Sequence, residues 1–166
     1  MKRIKLILIL FFVTLNLYSK DSVYVFMATD CPVCTFQTKA INELYNQNKQ
    51  NFDFVLVFPN IDTSEESILE FNKNFKISIP YIIDSTQNLA KNFKITTIPE
   101  VIVRNSNKTI YRGRIDNSFF APGRKRTITT EFDLKNVLND LTLNKQIINK
   151  ETTPIGCVLT YKKGKK

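Results

Sequence analysis

Residues 26–34 read FMATDCPVC, with two cysteines separated by Pro32 and Val33. The residues that lead into it, SVYVFM at 22–27, are β-branched or aromatic and apolar almost throughout, which is typical of a strand buried on both faces. After it, apolar residues recur at three- and four-residue steps over residues 36–45, which predicts an amphipathic helix. The sequence therefore places two cysteines, Cys31 and Cys34, where a buried strand joins a helix.

A C-x-x-C sequence at a strand-to-helix join is the context of redox-active cysteine pairs. The first cysteine lies at the helix N-terminus, where unpaired N–H groups and the helix dipole favour a thiolate, and the helix brings the second thiol within disulfide reach. Cys31 is therefore the predicted exposed nucleophile, and Cys34 is the thiol that resolves its mixed disulfides. There are two alternatives. A zinc site would need four ligands, but besides this pair the chain offers only Cys157 and no histidine. A purely structural disulfide would close a loop too short to stabilise the fold much.

The composition restricts the remaining chemistry. The chain has 166 residues, enough for one domain with its own core, and it contains no histidine. Catalysis by Ser-His-Asp, histidine-ligated metals and covalent haem attachment are thereby excluded, and we predict neither a metal nor another cofactor. The formal net charge is +9, but most of the excess lies in the first 19 residues and in the lysines of residues 162–166. The charge therefore gives no reason to expect a nucleic-acid partner.

The N-terminus has the pattern of a secretory signal peptide. Basic residues precede an apolar run that ends at a small residue, and its unbroken part, residues 6–13, is far shorter than the ~20 residues that span a bilayer. We predict that residues 1–19 are removed on export, that a domain covers residues 20–145, and that residues 146–166 form a tail with a docked segment around Cys157 and a lysine-rich end. An uncleaved anchor is the alternative. Both place the domain in an extracytoplasmic compartment such as the periplasm, where cysteines are oxidised.

The rest of the chain alternates strands and helices. Apolar patterns and turn signals predict strands at 52–58 and 81–83, helices at 64–75 and 89–93, a hairpin of strands at 101–104 and 109–115, and a last helix at 131–143. In that last helix Phe132 is predicted to face the core. Because helical crossovers join parallel strands and a hairpin joins antiparallel ones, this order predicts an α/β fold with a mixed central sheet flanked by helices.

A second motif, TIPEV at residues 97–101, stands directly before the predicted hairpin. Together with FMATDCPVC it resembles the thioredoxin superfamily. The interval from Cys31 to Pro99 leaves room for an extra helix-strand insertion before the hairpin, which is similar to the exported TlpA-like and redoxin branch. Two late sequences are also similar to that branch: YRGRID at 111–116 and TPIGC at 153–157.

The resemblance implies a thioredoxin-like fold with assigned roles. The Ile98–Pro99 bond is expected to be cis and to face the cysteines, with the Ile98 backbone offered to substrate, whereas the bond before Pro80 is expected to be trans. The implied activity is that of an exported thiol-disulfide oxidoreductase, an enzyme that uses the C-P-V-C pair. Its partners would be thiol- or disulfide-bearing proteins and a redox protein that donates or accepts electrons. The alternatives are a non-catalytic binding module and a peroxide-reducing redoxin, although the P-x-x-x-T-x-x-C sequence of peroxide-reducing relatives is missing.

Two departures from the family pattern affect proton transfer. The tryptophan that commonly precedes the cysteine pair is replaced by Thr29 and Asp30, and Val25 stands where cytoplasmic thioredoxins carry a buried acid. Asp30 and Glu100 are therefore the candidate proton relays.

Cys157 has two interpretations. It is either a small apolar residue packed in a docked tail, or a third redox partner that exchanges with Cys31, with Gly156 allowing close backbone approach. The tail is long enough to run back along the domain when extended. Residues 116–130 are predicted to form a rim around the cysteines.

Overall fold

The computed structural model describes residues 20–106 and 108–162, so the predicted signal peptide and residues 163–166 of the lysine-rich end lie outside the described residues. The strands are β1 (Asp21–Phe26), β2 (Phe52–Phe58), β3 (Tyr81–Ile83), β4 (Thr97–Ile98), β5 (Glu100–Asn105), β6 (Lys108–Gly113), β7 (Phe119–Ala121), β8 (Arg124–Lys125) and β9 (Cys157–Val158). The helices are α1 (Pro32–Asn48), α2 (Glu65–Phe75), α3 (Asn88–Asn92) and α4 (Asp133–Thr142). Within the described residues, no helix is both long and apolar enough to cross a membrane.

A five-stranded mixed sheet in the order β3-β2-β1-β5-β6 forms the centre of the fold. β1, β2 and β3 are parallel, whereas β5 and β6 extend the sheet with antiparallel pairing on the other side of β1. α1 connects β1 to β2, and α2 connects β2 to β3. The predicted thioredoxin-like α/β fold is confirmed, including the extra helix and strand before the hairpin.

The end of the central strand positions the cysteines. Val25 and Phe26 of β1 are fully buried, and the next N–H, that of Met27, still donates to the Val57 carbonyl oxygen at 2.9 Å. The chain then leaves the sheet and α1 begins at Pro32, whose fixed φ and missing N–H suit the first turn of a helix.

The cis-proline lies at the same end of the sheet. The Ile98–Pro99 peptide bond is cis and the bond before Pro80 is trans, which confirms both predictions. β5 starts directly after Pro99, and its first residue, Glu100, pairs with Phe26 at the end of β1. This register brings Pro99 to the loop that carries the cysteines.

The C-terminal tail runs back along the domain to this same end. The Arg112 N–H donates to the Lys150 carbonyl oxygen, and the Thr152 N–H donates to the Arg112 carbonyl oxygen, both at 3.0 Å. Farther along, β9 pairs antiparallel with β4, with Cys157 opposite Ile98. The tail therefore delivers the third cysteine to the cis-proline loop.

Phe132, which was predicted to face the core, does not lie in it. Phe132 is 47% exposed, because α4 begins at Asp133, two residues later than the pattern indicated. Asp133 is buried instead, and its carboxylate accepts a hydrogen bond from Arg114 Nε at 2.7 Å.

Candidate active site

Cys31 occupies the N-cap position of α1. Its backbone is extended, with φ −94° and ψ 114°, and its carbonyl oxygen accepts the first helical hydrogen bond from the Thr35 N–H at 2.9 Å. The side chain therefore lies at the end of the helix where unpaired N–H groups and the helix dipole stabilise negative charge.

Cys31 is disulfide-bonded to Cys157, and Cys34 is a free thiol. The Cα atoms of the bonded residues are 6.3 Å apart, within the usual range for disulfides. The sequence pattern pointed first to a bond between Cys31 and Cys34. The tail accounts for the difference, because β9 places Cys157 opposite Ile98 and beside the start of α1.

The tail also covers the Cys31 sulfur. Cys31 is only 2% exposed in this disulfide form. That Cys31 is the exposed nucleophile of the reduced protein stays a prediction. Cys157 is partly exposed, and its neighbour Val158 is 82% exposed. Solvent and reagents therefore meet the outer side of the tail before they reach Cys31.

Cys34 lies in the first turn of α1 and is fully buried. Burial raises the pKa of its thiol from 9.0 to about 12; the Ala28 N–H, which donates to Sγ at 3.4 Å, opposes this shift, and the charge of Asp30 adds to it. Loss of water around the thiolate is the largest of these effects. At neutral pH Cys34 is therefore a protonated thiol held next to the strand-to-helix join.

The predicted substrate residues, Ile98 and Pro99, lie against the disulfide. The Ile98 carbonyl oxygen is 3.7 Å from Cys31 Sγ. A Cβ atom added to Gly156 would overlap that same carbonyl group and would lie 3.0 Å from Pro99 Cδ. Only glycine allows the tail to approach the cis-proline loop this closely.

The two candidate proton relays lie in different surroundings. Asp30 is exposed and accepts a hydrogen bond from Asn60 Nδ2 at 3.2 Å. Glu100 is 2% exposed and accepts hydrogen bonds from Arg112 Nη2 at 2.6 Å and Nε at 3.1 Å. Burial raises the pKa of Glu100, and Arg112 opposes that shift. Asp30 is thus the carboxylate whose charge acts on Cys34, whereas Arg112 holds the carboxylate of Glu100.

A short hairpin of β7 and β8 packs beside the first turns of α1. The ring of Phe119 meets that of Phe36 edge to face, with centroids 5.3 Å apart, and Lys125 Nζ lies 4.0 Å from the Phe36 centroid. Phe36 follows Cys34 by two residues. The hairpin lies within residues 116–130, the predicted rim around the cysteines, although the strand pairing itself was not predicted.

Gln87 is a further functional candidate that sequence reasoning missed. This fully buried side chain donates from Nε2 to the Thr160 carbonyl oxygen at 2.8 Å and to the Pro59 carbonyl oxygen at 3.1 Å, and its Oε1 accepts from the Lys162 N–H at 2.8 Å. It therefore holds the tail at Thr160 and Lys162 through both halves of its amide. A polar residue in a turn gives no sequence signal for such a contact.

Comparisons with known proteins agree with this geometry. The Redoxin family model matches residues 12–117. An uncharacterized conserved protein from Geobacillus kaustophilus is 22% identical, over 86% of this chain and 78% of that chain, with a TM-score of 0.76. A hypothetical protein from Sinorhizobium meliloti 1021 is 18% identical, over 89% of this chain and 82% of that chain, with a TM-score of 0.77. No curated protein matches the sequence significantly.

A secreted Mycobacterium tuberculosis disulfide oxidoreductase, homologous to E. coli DsbE, shares the fold at 12% identity, over 72% of this chain and 79% of that chain, with a TM-score of 0.53. The match to the family model spans the C-x-x-C segment and the cis-proline. This confirms the resemblance to the TlpA-like redoxin branch of the thioredoxin superfamily. The chain has the fold of thiol-disulfide oxidoreductases and belongs to the Redoxin family.

Proposed function

We propose that this protein is an exported thiol-disulfide oxidoreductase in which Cys31 is the sulfur that exchanges with substrate. The observation that carries the proposal is the Cys31 disulfide at the N-terminus of α1, which faces the cis-proline. This sulfur already takes part in a disulfide with a residue 126 positions away in the chain, so an incoming cysteine-bearing segment can reach it in the same way.

In the reductive direction, the Cys31 thiolate attacks one sulfur of a substrate disulfide. A mixed disulfide forms between Cys31 and that sulfur, and the other substrate sulfur leaves as a thiolate. The N-terminal end of α1 stabilises the attacking thiolate, and the Ile98 backbone orients the substrate chain.

Cys34 then resolves the mixed disulfide. Its thiolate attacks Cys31 Sγ, the Cys31–Cys34 disulfide forms, and the substrate leaves reduced. Because burial keeps Cys34 protonated, this step needs a proton acceptor. We assign that function to Asp30, whose charge acts on Cys34, ahead of Glu100, which is held by Arg112.

The test is the catalysed reduction of insulin with dithiothreitol as the electron source. Cys31→Ser is expected to lose the catalysed rate. Cys34→Ser/Cys157→Ser is expected to accumulate a mixed disulfide at Cys31, because both thiols that can displace the substrate from Cys31 are then removed. Cys157→Ser is the matched control, because it also replaces a cysteine with serine. It is expected to keep at least the wild-type rate, because Cys31 and Cys34 remain. Full activity in Cys31→Ser would contradict the proposal.

The same preparations separate the alternatives. A non-catalytic binding module would leave the insulin rate at the uncatalysed level in the wild type. A peroxide-reducing redoxin would consume hydrogen peroxide faster than it reduces insulin. The proposed oxidoreductase is expected to show the opposite preference, since the sequence lacks the peroxide-reducing motif.

Export is tested on protein recovered from the native host. The basic and apolar pattern of residues 1–19 is the basis for this part of the proposal. Mass spectrometry is expected to show a mature N-terminus close to Lys20. Intact Met1 on protein found in the cytoplasm would contradict it.

A further inference from the structure

The chain's own tail uses the backbone edge at which a substrate would bind. We call residues 155–159 the docking segment. Within it, Val158 pairs with Thr97 and Cys157 with Ile98, and the Leu159 N–H donates to the Thr96 carbonyl oxygen at 2.9 Å. Hydrogen-bonded and non-hydrogen-bonded pairs alternate in an antiparallel ladder, so the bond at Thr96 makes Ile98 and Cys157 the next hydrogen-bonded pair.

The sulfur chemistry matches this backbone pairing. Cys157 stands opposite Ile98, and its sulfur is bonded to Cys31. A mixed disulfide with an external protein would need the same two features, an extended strand on Ile98 and a sulfur bonded to Cys31. The side chain of Val158 is 82% exposed, whereas Leu159, the last residue of the docking segment, is buried in the core.

We propose that the docking segment is an internal occupant of the substrate site, and that the site accepts extended protein segments in which glycine directly precedes the cysteine. This inference rests on the proposed function of Cys31. The protein as described therefore corresponds to the mixed-disulfide stage of exchange, with residues 155–159 in the place of the substrate.

Gly156 supplies the selectivity. Its Cα faces the Ile98 carbonyl group so closely that a Cβ atom would overlap the backbone and would also meet Pro99 Cδ at 3.0 Å. Backbone cannot rotate away as a side chain can, so any larger residue at this register must shift the whole strand. A substrate that binds in the same register meets the same limit.

Release of the segment follows the reaction of the resolving thiol. The Cys34 thiolate attacks Cys31 Sγ, the Cys31–Cys157 bond breaks, the Cys31–Cys34 bond forms, and Cys157 leaves as a thiolate that takes up the proton. The number of disulfides is unchanged, so no external oxidant or reductant is consumed. Contacts at Lys150 and Thr152 on one side, and at Gln87 on the other, keep the released segment close to its site.

The first experiment measures this binding inside the full chain. In a Cys34→Ala background, the Cys31–Cys157 disulfide is titrated against glutathione. Gly156→Ala is expected to lower the equilibrium constant for that disulfide at least ~tenfold, because overpacking against backbone disfavours the docked strand. Val158→Ala is the matched control in the same segment and is expected to stay within ~threefold of its parent, because that side chain is 82% exposed. Equal constants for the Gly156→Ala variant and its parent would overturn the inference.

The second experiment uses an external occupant. In full-length Cys34→Ala/Cys157→Ser protein, Cys31 is the only cysteine, and its mixed disulfides with two peptides are compared in glutathione buffer. One peptide has the sequence of residues 153–160 and the other carries the Gly156→Ala change. The glycine peptide is expected to form at least ~tenfold more mixed disulfide than the alanine peptide. Because the protein's own tail competes equally with both peptides, the ratio of the two yields reports selectivity alone. Equal yields would overturn the inference.

These readouts are equilibria and require no turnover. Selective peptide binding by a protein that is inert toward insulin would refute the proposed function and leave the selectivity standing. Catalysed insulin reduction without peptide selectivity would refute the selectivity and leave the proposed function standing. Thermal unfolding of the reduced Gly156→Ala protein checks that the variant is folded.

Discussion

Cys34 is predicted to react only as the pH approaches a strongly raised pKa. It is the free thiol when Cys31 and Cys157 are bonded, and burial raises its pKa from 9.0 to about 12. At any pH well below 9, this shift makes the thiolate about 10³-fold rarer than that of an ordinary thiol, since each pH unit is a factor of ten. At pH 7, roughly one molecule in 10⁵ carries the thiolate.

The assay is alkylation of the oxidised protein with iodoacetamide, quenched at intervals and read by peptide mass. Because only the thiolate reacts, the rate constant at Cys34 is expected to rise about tenfold per pH unit from pH 7 to pH 11. Glutathione in the same buffers is the control and should level off near pH 9. A Cys34 rate that also levels off near pH 9 would contradict the raised pKa, because it would mean that the thiol ionises as if it were in water.

Three further predictions concern stability and the tail. The pKa of Cys34 is higher in the folded than in the unfolded protein, so its contribution to stability is present below pH 9 and is lost as the pH rises toward 12. Between these pH values the free energy of unfolding in urea should fall by about 1.4 kcal/mol per pH unit more in the wild type than in Cys34→Ala. Equal slopes in the two proteins would contradict the raised pKa. Gln87→Ala should lower the free energy of unfolding by about 1–3 kcal/mol and speed hydrogen exchange at the Lys162 N–H, which donates to Gln87 Oε1. Unchanged exchange at Lys162 would show that Gln87 does not hold the tail. Tyr111→Phe removes a hydroxyl that lies 2.6 Å from both the Arg114 carbonyl oxygen and Thr152 Oγ1, and it should cost about 1–3 kcal/mol, whereas a neutral result would mean that water replaces the hydroxyl.

Elements governed by local patterns were predictable from the sequence. The bounds of β2 and β3 match the predicted strands at 52–58 and 81–83, because turn residues on both sides limit these apolar runs. The start of α2 was also readable, since Ser64 caps the helix and acids follow it. Phe132 was misplaced because a shift of two residues at the start of α4 turns its side chain outward.

Only part of the candidate site could be predicted from the sequence. The position of Cys31 follows from a strand-to-helix join, and the cis bond before Pro99 was expected from the family resemblance. The bond between Cys31 and Cys157 depends on the path of a long tail, which no local pattern encodes. The depth of Cys34 likewise depends on elements far apart in the sequence that pack around it.

The distribution of disulfides in the wild-type protein tests most directly whether Cys31 is the exchanging sulfur. Protein equilibrated over a range of glutathione ratios is quenched with acid, alkylated and mapped by peptide mass. Every intramolecular disulfide is expected to contain Cys31, bonded either to Cys157 or to Cys34. A predominant disulfide between Cys34 and Cys157, or a free Cys31 under oxidising conditions, would contradict this assignment.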